Sequence, residues 1–194
     1  MKKYILNKIL LSDKPSEGIY KLIESGEIID IIPEIIKIKG FKQHTPYHDK
    51  DVLEHTMAVL DAIKPKLNLR MAALLHDISK PECFTVDENG RGHFYGHHIK
   101  SAEKSVEILN RLGYDEEFIE DVRILIRYHY IKNIIKKEDG IRDFIEAVGI
   151  HRLNDMFELC MADIKGKLNS DNFEEVLCIM KKCEEYLRDN IKNQ

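Results

Sequence analysis

Histidine and aspartate residues are the part of this sequence that could carry out chemistry. An adjacent pair, His76-Asp77, follows the apolar run MAALL, and a further histidine, His55, lies upstream. Imidazole and carboxylate groups bind divalent metals and also serve as general acids and bases. A His-Asp pair near a helix end is, by itself, more often a capping or surface feature. The spacing of the surrounding residues therefore has to decide between these interpretations.

Helical spacing places His55 and His76 at nearly the same height in a helical hairpin. His55 lies on a helix expected over about 51–63, and His76 lies on one expected over about 69–79, with Pro65 between them. If the two helices fold back on each other, a rise of about 1.5 Å per residue brings the two imidazoles side by side. The small alanines beside each histidine leave room for an ion that both could bind.

A second pair, His97 and His129, is placed in the same way by a hairpin that turns near Tyr114. His129 continues the apolar stripe of Leu125 and Ile126, where an imidazole without a partner would lose hydrogen bonds. One such histidine is more often a satisfied core residue. Two matched pairs on consecutive hairpins favour a shared function.

Asp163 is the second candidate carboxylate. It lies on a stripe with Leu159 and Cys160, where an ionised carboxylate is costly to bury without a cation or a donor. A metal would meet this need, and so would an ion pair with Lys165 or Lys167. Several imidazoles, two carboxylates and no cysteine at ligand spacing suit manganese, iron, cobalt, nickel or zinc, with magnesium as a further candidate; an all-oxygen calcium site is excluded.

The elements that must position these residues are helices, because apolar residues recur with helical spacing almost everywhere and predict an all-α fold. The segment 82–96 contains Asn89-Gly90 and is expected to be a long loop. Two short helices are expected within 18–40, separated near Pro33. Further helices are expected over about 97–112, 115–131, 139–148, 151–165 and 172–191.

Length and composition predict one helical bundle over 1–194, with a motif core at about 48–168 and the C-terminal helix at about 172–191. The chain is 43% hydrophobic and 33% charged, as a globular protein would be. No apolar run approaches the roughly 20 residues of a membrane span, so we expect no membrane partner and a cytoplasmic location. Four cysteines without CxxC spacing are expected to be reduced.

A net charge of −4 excludes a strongly basic protein that coats nucleic acid. A local basic cluster remains at Lys132 to Lys137, and its simpler interpretation is a solvated helix end rather than a phosphate-backbone contact.

In order along the chain, these residues resemble the HD superfamily of metal-dependent phosphohydrolases, named for the adjacent His-Asp pair. The matching segments are DVLEHTMAVLDAI, ALLHDISKP, FYGHHIKSAE, IRYHY and CMADIKGK. The chain is most similar to the HD domain that follows the catalytic head in some bacterial CCA-adding tRNA nucleotidyltransferases, over roughly 18–168. The Gly-Ser motif and paired aspartates of that head are not found, so nucleotide addition is not expected.

The resemblance implies a role for each candidate residue. Lys80 matches the lysine of the family's HDxGK motif, in which Ser79 replaces glycine, a change that could alter how closely a substrate approaches. His98 competes with His97, although the Gly-His step favours His97. The first metal site is matched by His55, His76, Asp77 and Asp163. The second site of binuclear members is matched by His97 and His129.

The implied activity is hydrolysis of phosphate esters of nucleotides or similar small molecules, including 2′,3′-cyclic nucleotides, by a metal-activated water. Asp77 would hold the metal and accept a proton, and Lys80 would stabilise phosphate charge. Arg91 and Arg127 are further candidates for phosphate binding. One or two divalent ions per chain are expected.

Two alternatives remain open. A 5′-mononucleotidase would use the same residues, whereas a non-catalytic helical scaffold or RNA-binding module would use the metal structurally or lack it. An intact set of buried ligands argues against the scaffold, and the cluster Lys132 to Lys137 gives only slight support to RNA. An RNA end is retained as a candidate partner.

Overall fold

The computed structural model describes residues 1–44, 50–131, 139–167 and 173–192. Within these ranges the chain forms ten α-helices, three short 3-10 helices and one two-stranded sheet, so the predicted all-α class is confirmed. The α-helices are α1 Lys2–Leu10, α2 Pro15–Ser25, α3 Ile28–Ile31, α4 Val52–Ala62, α5 Leu67–Leu75, α6 His97–Leu112, α7 Glu116–Tyr128, α8 Gly140–Val148, α9 Leu153–Lys165 and α10 Phe173–Lys192. The 3-10 helices are Pro33–Lys37, Lys80–Cys83 and Ile150–Arg152, and the strands are β1 Thr85–Val86 and β2 Gly92–His93.

The start of α4 is fixed by a reciprocal cap. The backbone N–H of Glu54 donates to the Asp51 carboxylate at 2.8 Å, and the Asp51 N–H donates to the Glu54 carboxylate at 2.9 Å. Asp51 also accepts from the N–H of Gly40 at 2.8 Å. Because a capping box satisfies two otherwise unpaired groups, it sets where His55 lies along α4. The observed start agrees with the helix expected from about residue 51.

Helix α5 ends at Leu75, earlier than the predicted Ser79. The backbone N–H of Ser79 donates to Ser101 Oγ at 3.1 Å instead of continuing the helical ladder. Pro81 also disfavours a helical conformation at the preceding residue. This contact with α6 is remote in sequence and overrides the local pattern.

The early end changes the setting of the His-Asp pair. His76 is the C-cap residue of α5, and Asp77 lies in the turn that follows. The N–H of Lys80 donates to the Asp77 carbonyl at 3.0 Å and opens a 3-10 helix. One-turn spacing in a continuous helix would put Lys80 on the face of His76, but Lys80 lies in a separate 3-10 helix, and the two side chains meet instead at the Asp77 carboxylate.

The expected long loop over 82–96 is also wrong in part, because it contains the hairpin of β1 and β2. Gly90 lies near the tip with a φ of +76°, which favours glycine. The Asp87 side chain accepts from the backbone N–H groups of Asn89 and Arg91 and so closes the turn. Two-residue strands are too short to show the alternation that predicts a strand.

The other predicted helices differ mainly at their ends. Gly113, Gly149 and Gly166 follow α6, α8 and α9 as expected, whereas α7 ends at Tyr128, before the predicted 131. Helix α1 was not predicted, and α2 and α3 precede Pro33, where the predicted break lies. Residue 172, where the C-terminal helix was expected to begin, lies outside the described ranges.

Helices α4, α5, α6, α7 and α9 surround the candidate site. Consecutive helices α4 and α5 pack together, as do α6 and α7; α5 also packs on α7, and α9 packs on α4, α5 and α7. The α5 residues from Met71 to Leu75 are fully buried. Helix α10 packs against α8 and α9. In the described ranges no helix is both long and apolar enough to cross a bilayer.

Arg70 joins the N-terminal helices to this core. Its guanidinium donates to the carbonyls of Leu10 and Ser12 at 2.6 Å and of Ile63 at 3.0 Å, and the residue is 4% exposed. A cation at the carbonyl end of α1 also complements the helix dipole. The buried charge is thus compensated by main-chain groups from two remote segments.

Replacing Arg70 with methionine should destabilise the fold. Arg70→Met leaves the carbonyls of Leu10, Ser12 and Ile63 without their donor, so the free energy of unfolding should fall by about 2–4 kcal/mol. Urea denaturation followed by circular dichroism measures this change. The matched variant Arg188→Met, at an exposed position of α10, should change stability by less than about 0.5 kcal/mol. Equal losses in both variants would contradict this role of Arg70.

Candidate metal centre

The structure brings the six predicted metal ligands to one buried place. They come from the inner faces or ends of α4, α5, α6, α7 and α9. Each of them is buried, with exposed fractions between 0% and 8%. These residues are His55, His76, Asp77, His97, His129 and Asp163.

The four histidines share one orientation. In each ring Nδ1 contacts a main-chain carbonyl, which can only accept, so Nδ1 carries a proton and Nε2 is the atom that a metal can bind. A hydrogen bond of this kind fixes the ring and the tautomer of histidines that bind metals through Nε2. The pairs are His55 with Gly166 at 3.3 Å, His76 with Ala73 at 2.8 Å, His97 with Phe94 at 2.8 Å, and His129 with Ile126 at 2.7 Å.

One group of ligand atoms forms around His55 and His76. Their ring centroids are 5.6 Å apart, which confirms the predicted proximity of this pair. His55 Nε2 lies 2.9 Å from Asp163 Oδ1, and His76 Nε2 lies 3.2 Å from Asp77 Oδ2. Ligand atoms of His55, His76 and Asp77 all lie within 4.8 Å of one another. This spacing suits one cation between them.

A second group forms on the other side of Asp77. The rings of His97 and His129 are 5.5 Å apart, which confirms their predicted proximity, and His97 Nε2 lies 3.5 Å from Asp77 Oδ1. Ligand atoms of Asp77, His97 and His129 again lie within 4.8 Å of one another. Asp77 therefore belongs to both groups, with Oδ2 nearer to the first and Oδ1 nearer to the second. His97 rather than His98 is the member, as expected.

Burial keeps three of the imidazoles neutral. It lowers the pKa of His55, lowers that of His97 to about 4 and lowers that of His129 to about 3. A neutral imidazole is the form that binds a metal. The electrostatic setting thus supplies these three side chains in their ligand form at neutral pH.

His76 and the two carboxylates are coupled more strongly. Burial would lower the pKa of His76, but Asp77 and Asp163 raise it to about 9. Burial would raise the pKa of Asp77, but the charges of His76 and Lys80 hold it well below its usual range. The pKa of Asp163 is likewise low because Lys167 and His55 outweigh its burial. Both carboxylates are therefore anions that need positive charge nearby.

Two buried polar atoms test whether the residues fit a metal. His76 Nε2 and Asp77 Oδ1 form no acceptable hydrogen bond with any residue that the structure describes. A buried group left without a partner costs about 1–3 kcal/mol, and a divalent cation would satisfy both atoms. The nearby thiol of Cys160 donates to the His129 carbonyl instead, and burial raises its pKa. The donor set fits a borderline divalent metal bound by nitrogen and oxygen.

Lys80 and Lys167 each form an ion pair with one of the two carboxylates. Lys80 Nζ lies 2.7 Å from Asp77 Oδ2, donates to Gln43 Oε1 at 2.7 Å, and is 5% exposed. Lys167 donates to Asp163 Oδ2, so the ion pair considered for Asp163 is present alongside its contact with His55. The two explanations of the buried Asp163 are thus compatible.

The predicted phosphate-binding arginines lie further out. Arg91 is exposed and directly precedes β2 of the hairpin. Arg127 is half-buried on α7, and its Nη1 is buried without a hydrogen-bond partner in the described part of the chain. His44 and His151 are exposed and take no part in the centre. His48 and the cluster Lys132 to Lys137 lie outside the described residues.

Several residues at the site were missed by sequence reasoning. Gln43 is 2% exposed and touches Lys80, but no pattern in its own segment points to this contact. A Cβ added at Gly166 would lie 2.9 Å from His55 Cε1, so only glycine lets this turn approach the ring. The glycine of CMADIKGK could have signalled this close approach. Cys83, one of the cysteines expected to be reduced, is a half-buried free thiol.

A pocket of about 350 Å³, which includes solvent at its mouth, lies directly beside the centre. Its walls come from the ends of α7, α9 and α10. They are formed by His129, Tyr130, Ile131, Cys160, Asp163, Ile164, Lys167, Glu175 and Val176. A substrate in this pocket would lie against two of the candidate ligands.

The sequence is similar to those of known proteins. The A-adding tRNA nucleotidyltransferase of Deinococcus radiodurans is 31% identical over 169 residues, which are 81% of this chain and 37% of that protein. The multifunctional CCA protein of Neisseria gonorrhoeae is 30% identical over 183 residues, or 86% of this chain and 42% of that protein. The chain therefore spans about two fifths of the length of these curated relatives.

The matched region contains the whole candidate centre. The family model described as HD domain matches residues 52–185, more than half of the 194 residues. All six candidate ligands fall within this range, and the His-Asp pair that gives the family its name is His76-Asp77. The chain belongs to the HD domain family.

Proposed function

We propose that this HD domain is a divalent-metal-dependent phosphohydrolase that cleaves phosphate esters of nucleotides or similar small molecules with water. The observation that supports this most is the sharing of Asp77 between two buried groups of histidines. Divalent cations held there would polarise a phosphoryl oxygen, lower the pKa of water and, as a pair, hold the attacking and leaving oxygens together. We propose that residues 1–194 form the single domain that has this activity.

The proposed ligands divide into two sets that share Asp77. The Nδ1 hydrogen bonds hold each imidazole in place, so little reorganisation is needed on binding. Manganese, iron, cobalt, nickel, zinc or magnesium is the proposed ion. The first set is His55, His76, Asp77 and Asp163, and the second is Asp77, His97 and His129.

Asp77 and Lys80 are the proposed catalytic residues. The Lys80 ammonium has three donors, and its contacts with Asp77 and Gln43 leave one for a phosphate oxygen. The same contact orients the Asp77 carboxylate, which can accept a proton from the attacking water. Lys80 would thus stabilise the negative charge that develops on the phosphoryl group.

Arg127 and Arg91 are proposed to bind substrate phosphate. Arg127 Nη1 has no hydrogen-bond partner in the described ranges, which leaves a donor for an anion. Arg91 is supported only by its position on the hairpin that precedes α6. Its proposed role therefore has less support than that of Arg127.

The substrate is proposed at the level of a phosphate ester. The same centre would serve a 2′,3′-cyclic nucleotide or a 5′-mononucleotide. The names of the relatives refer to tRNA, so an RNA end is proposed as a larger partner. A scaffold that lacks a metal would leave the buried atoms of His76 and Asp77 unsatisfied, which supports a metal-binding role over a metal-free scaffold.

Metal stoichiometry tests the shared carboxylate. The purified protein loaded with Mn²⁺ should bind two ions per chain; His129→Ala should retain one, and Asp77→Ala should weaken both by more than about tenfold. Plasma mass spectrometry and titration calorimetry measure this, with circular dichroism to show that the fold is kept. His151→Ala, at an exposed histidine, is the matched control and should bind like the parent. Retention of both ions by Asp77→Ala would contradict the proposal.

Hydrolysis tests the role of Lys80. With Mn²⁺ the parent should hydrolyse at least one of bis-p-nitrophenyl phosphate, 2′,3′-cyclic AMP and AMP. Lys80→Met should lower kcat by about 10²–10³ because a charge stabiliser of the transition state is lost, while metal content is retained. The exposed Lys21→Met is the matched control. If the fully metal-loaded parent cleaves none of these esters, the scaffold becomes the better explanation.

A further inference from the structure

Two exposed tyrosines lie beside the candidate metal centre. Tyr130 directly follows His129, is 46% exposed, and has its ring centroid 6.0 Å from that of His97. Tyr95 lies just before α6 and is 77% exposed. Both rings are therefore reachable from solvent at the edge of the second ligand group.

Each tyrosine is stacked on a histidine. Tyr130 and His98 have ring centroids 5.7 Å apart with an interplanar angle of 21°, and Tyr95 and His93 have centroids 5.2 Å apart with an angle of 6°. Tyr95 and His93 are also joined by a hydrogen bond at 3.3 Å. Stacking fixes the plane of a ring before any ligand arrives, which lowers the entropy lost on binding.

Tyr130 also forms part of the pocket beside the centre. The same pocket is lined by the candidate ligands His129 and Asp163 and by the cation of Lys167. Burial raises the pKa of Tyr130, Lys167 opposes the rise and Tyr95 adds to it, so both side chains lie within electrostatic reach. An aromatic surface and a positively charged group thus border one cavity.

The chemistry of this pocket restricts its ligand. Metal ligands and Lys167, which suit a phosphate, line the same pocket as the partly exposed ring of Tyr130, which suits a planar group. A carboxylate, Glu175, also lines the wall and can accept hydrogen bonds from amino or hydroxyl groups. A nucleotide combines these three features.

We propose that Tyr130, with Tyr95 beside it, stacks on the base of a nucleotide whose phosphate lies at the metal centre, and that these side chains select nucleotides over esters without a base. The inference rests on the proposed function only for the position of the phosphate. The base, rather than the phosphate, is what the tyrosines would distinguish.

The test compares two ligands that differ by the base alone. Titration calorimetry on the Mn²⁺-loaded chain should show AMP binding about 5- to 150-fold more tightly than ribose 5-phosphate, the range expected for one stacked base. Tyr130→Ala should reduce this ratio towards one, Tyr130→Phe should keep it because the ring remains, and Tyr95→Ala should reduce it partly. Tyr4→Ala, at a tyrosine that is 72% exposed on α1, is the matched control and should leave the ratio unchanged.

A ratio near one in the parent, or a ratio that survives in Tyr130→Ala, would overturn the inference. Circular dichroism and Mn²⁺ content show whether each variant is folded and loaded. Phosphate release measured in the same samples separates the two hypotheses. A chain that prefers AMP but releases no phosphate contradicts the proposed function alone. A chain that releases phosphate but does not prefer AMP contradicts only the stacking role. A short RNA with a 3′-terminal adenosine shows whether the bound base belongs to an RNA or to a free nucleotide. Tighter binding than AMP indicates an RNA end, and equal or weaker binding indicates a free nucleotide.

Discussion

The burial of the Asp77 carboxylate is the constraint on which the centre of this protein depends. An anion removed from water is stable only when positive charge and donors surround it. Around Asp77 the positive charge comes from His76 and Lys80, which lie at the ends of different helices. Packing of α4, α5, α6, α7 and α9 therefore does more than bury apolar surface, because it assembles the groups that compensate this charge.

Much of the site follows from regular helix geometry. The positions of His55 and His76, and of His97 and His129, were predictable because each pair flanks a marked turn and the rise per residue is constant. The end of α5 was not predictable, since it depends on the contact of Ser79 with the remote Ser101. The hairpin of β1 and β2 was missed because two-residue strands carry no periodic signal. The contact of Gln43 with Lys80 joins distant segments and has no local trace.

Membership of the HD domain family and the geometry of the centre support each other in different ways. The family match covers the segments that bear the ligands, while the structure shows how their Nε2 and carboxylate atoms face one another. The relatives contain this region within proteins that are more than twice as long as the matched part. Because the family match does not identify a substrate, the substrate of this chain has to be inferred from the side chains around the centre. These include one aromatic ring, Tyr130, and two cations, Lys167 and Arg127.

The hydrogen bonds that orient the histidines differ in range. His76, His97 and His129 each bond to the carbonyl three residues earlier, so their orientation is encoded within a single turn of chain. His55 instead bonds to the carbonyl of Gly166, which follows α9. The orientation of His55 therefore depends on the docking of α9, whereas the other three rings take theirs from a neighbouring turn of the chain.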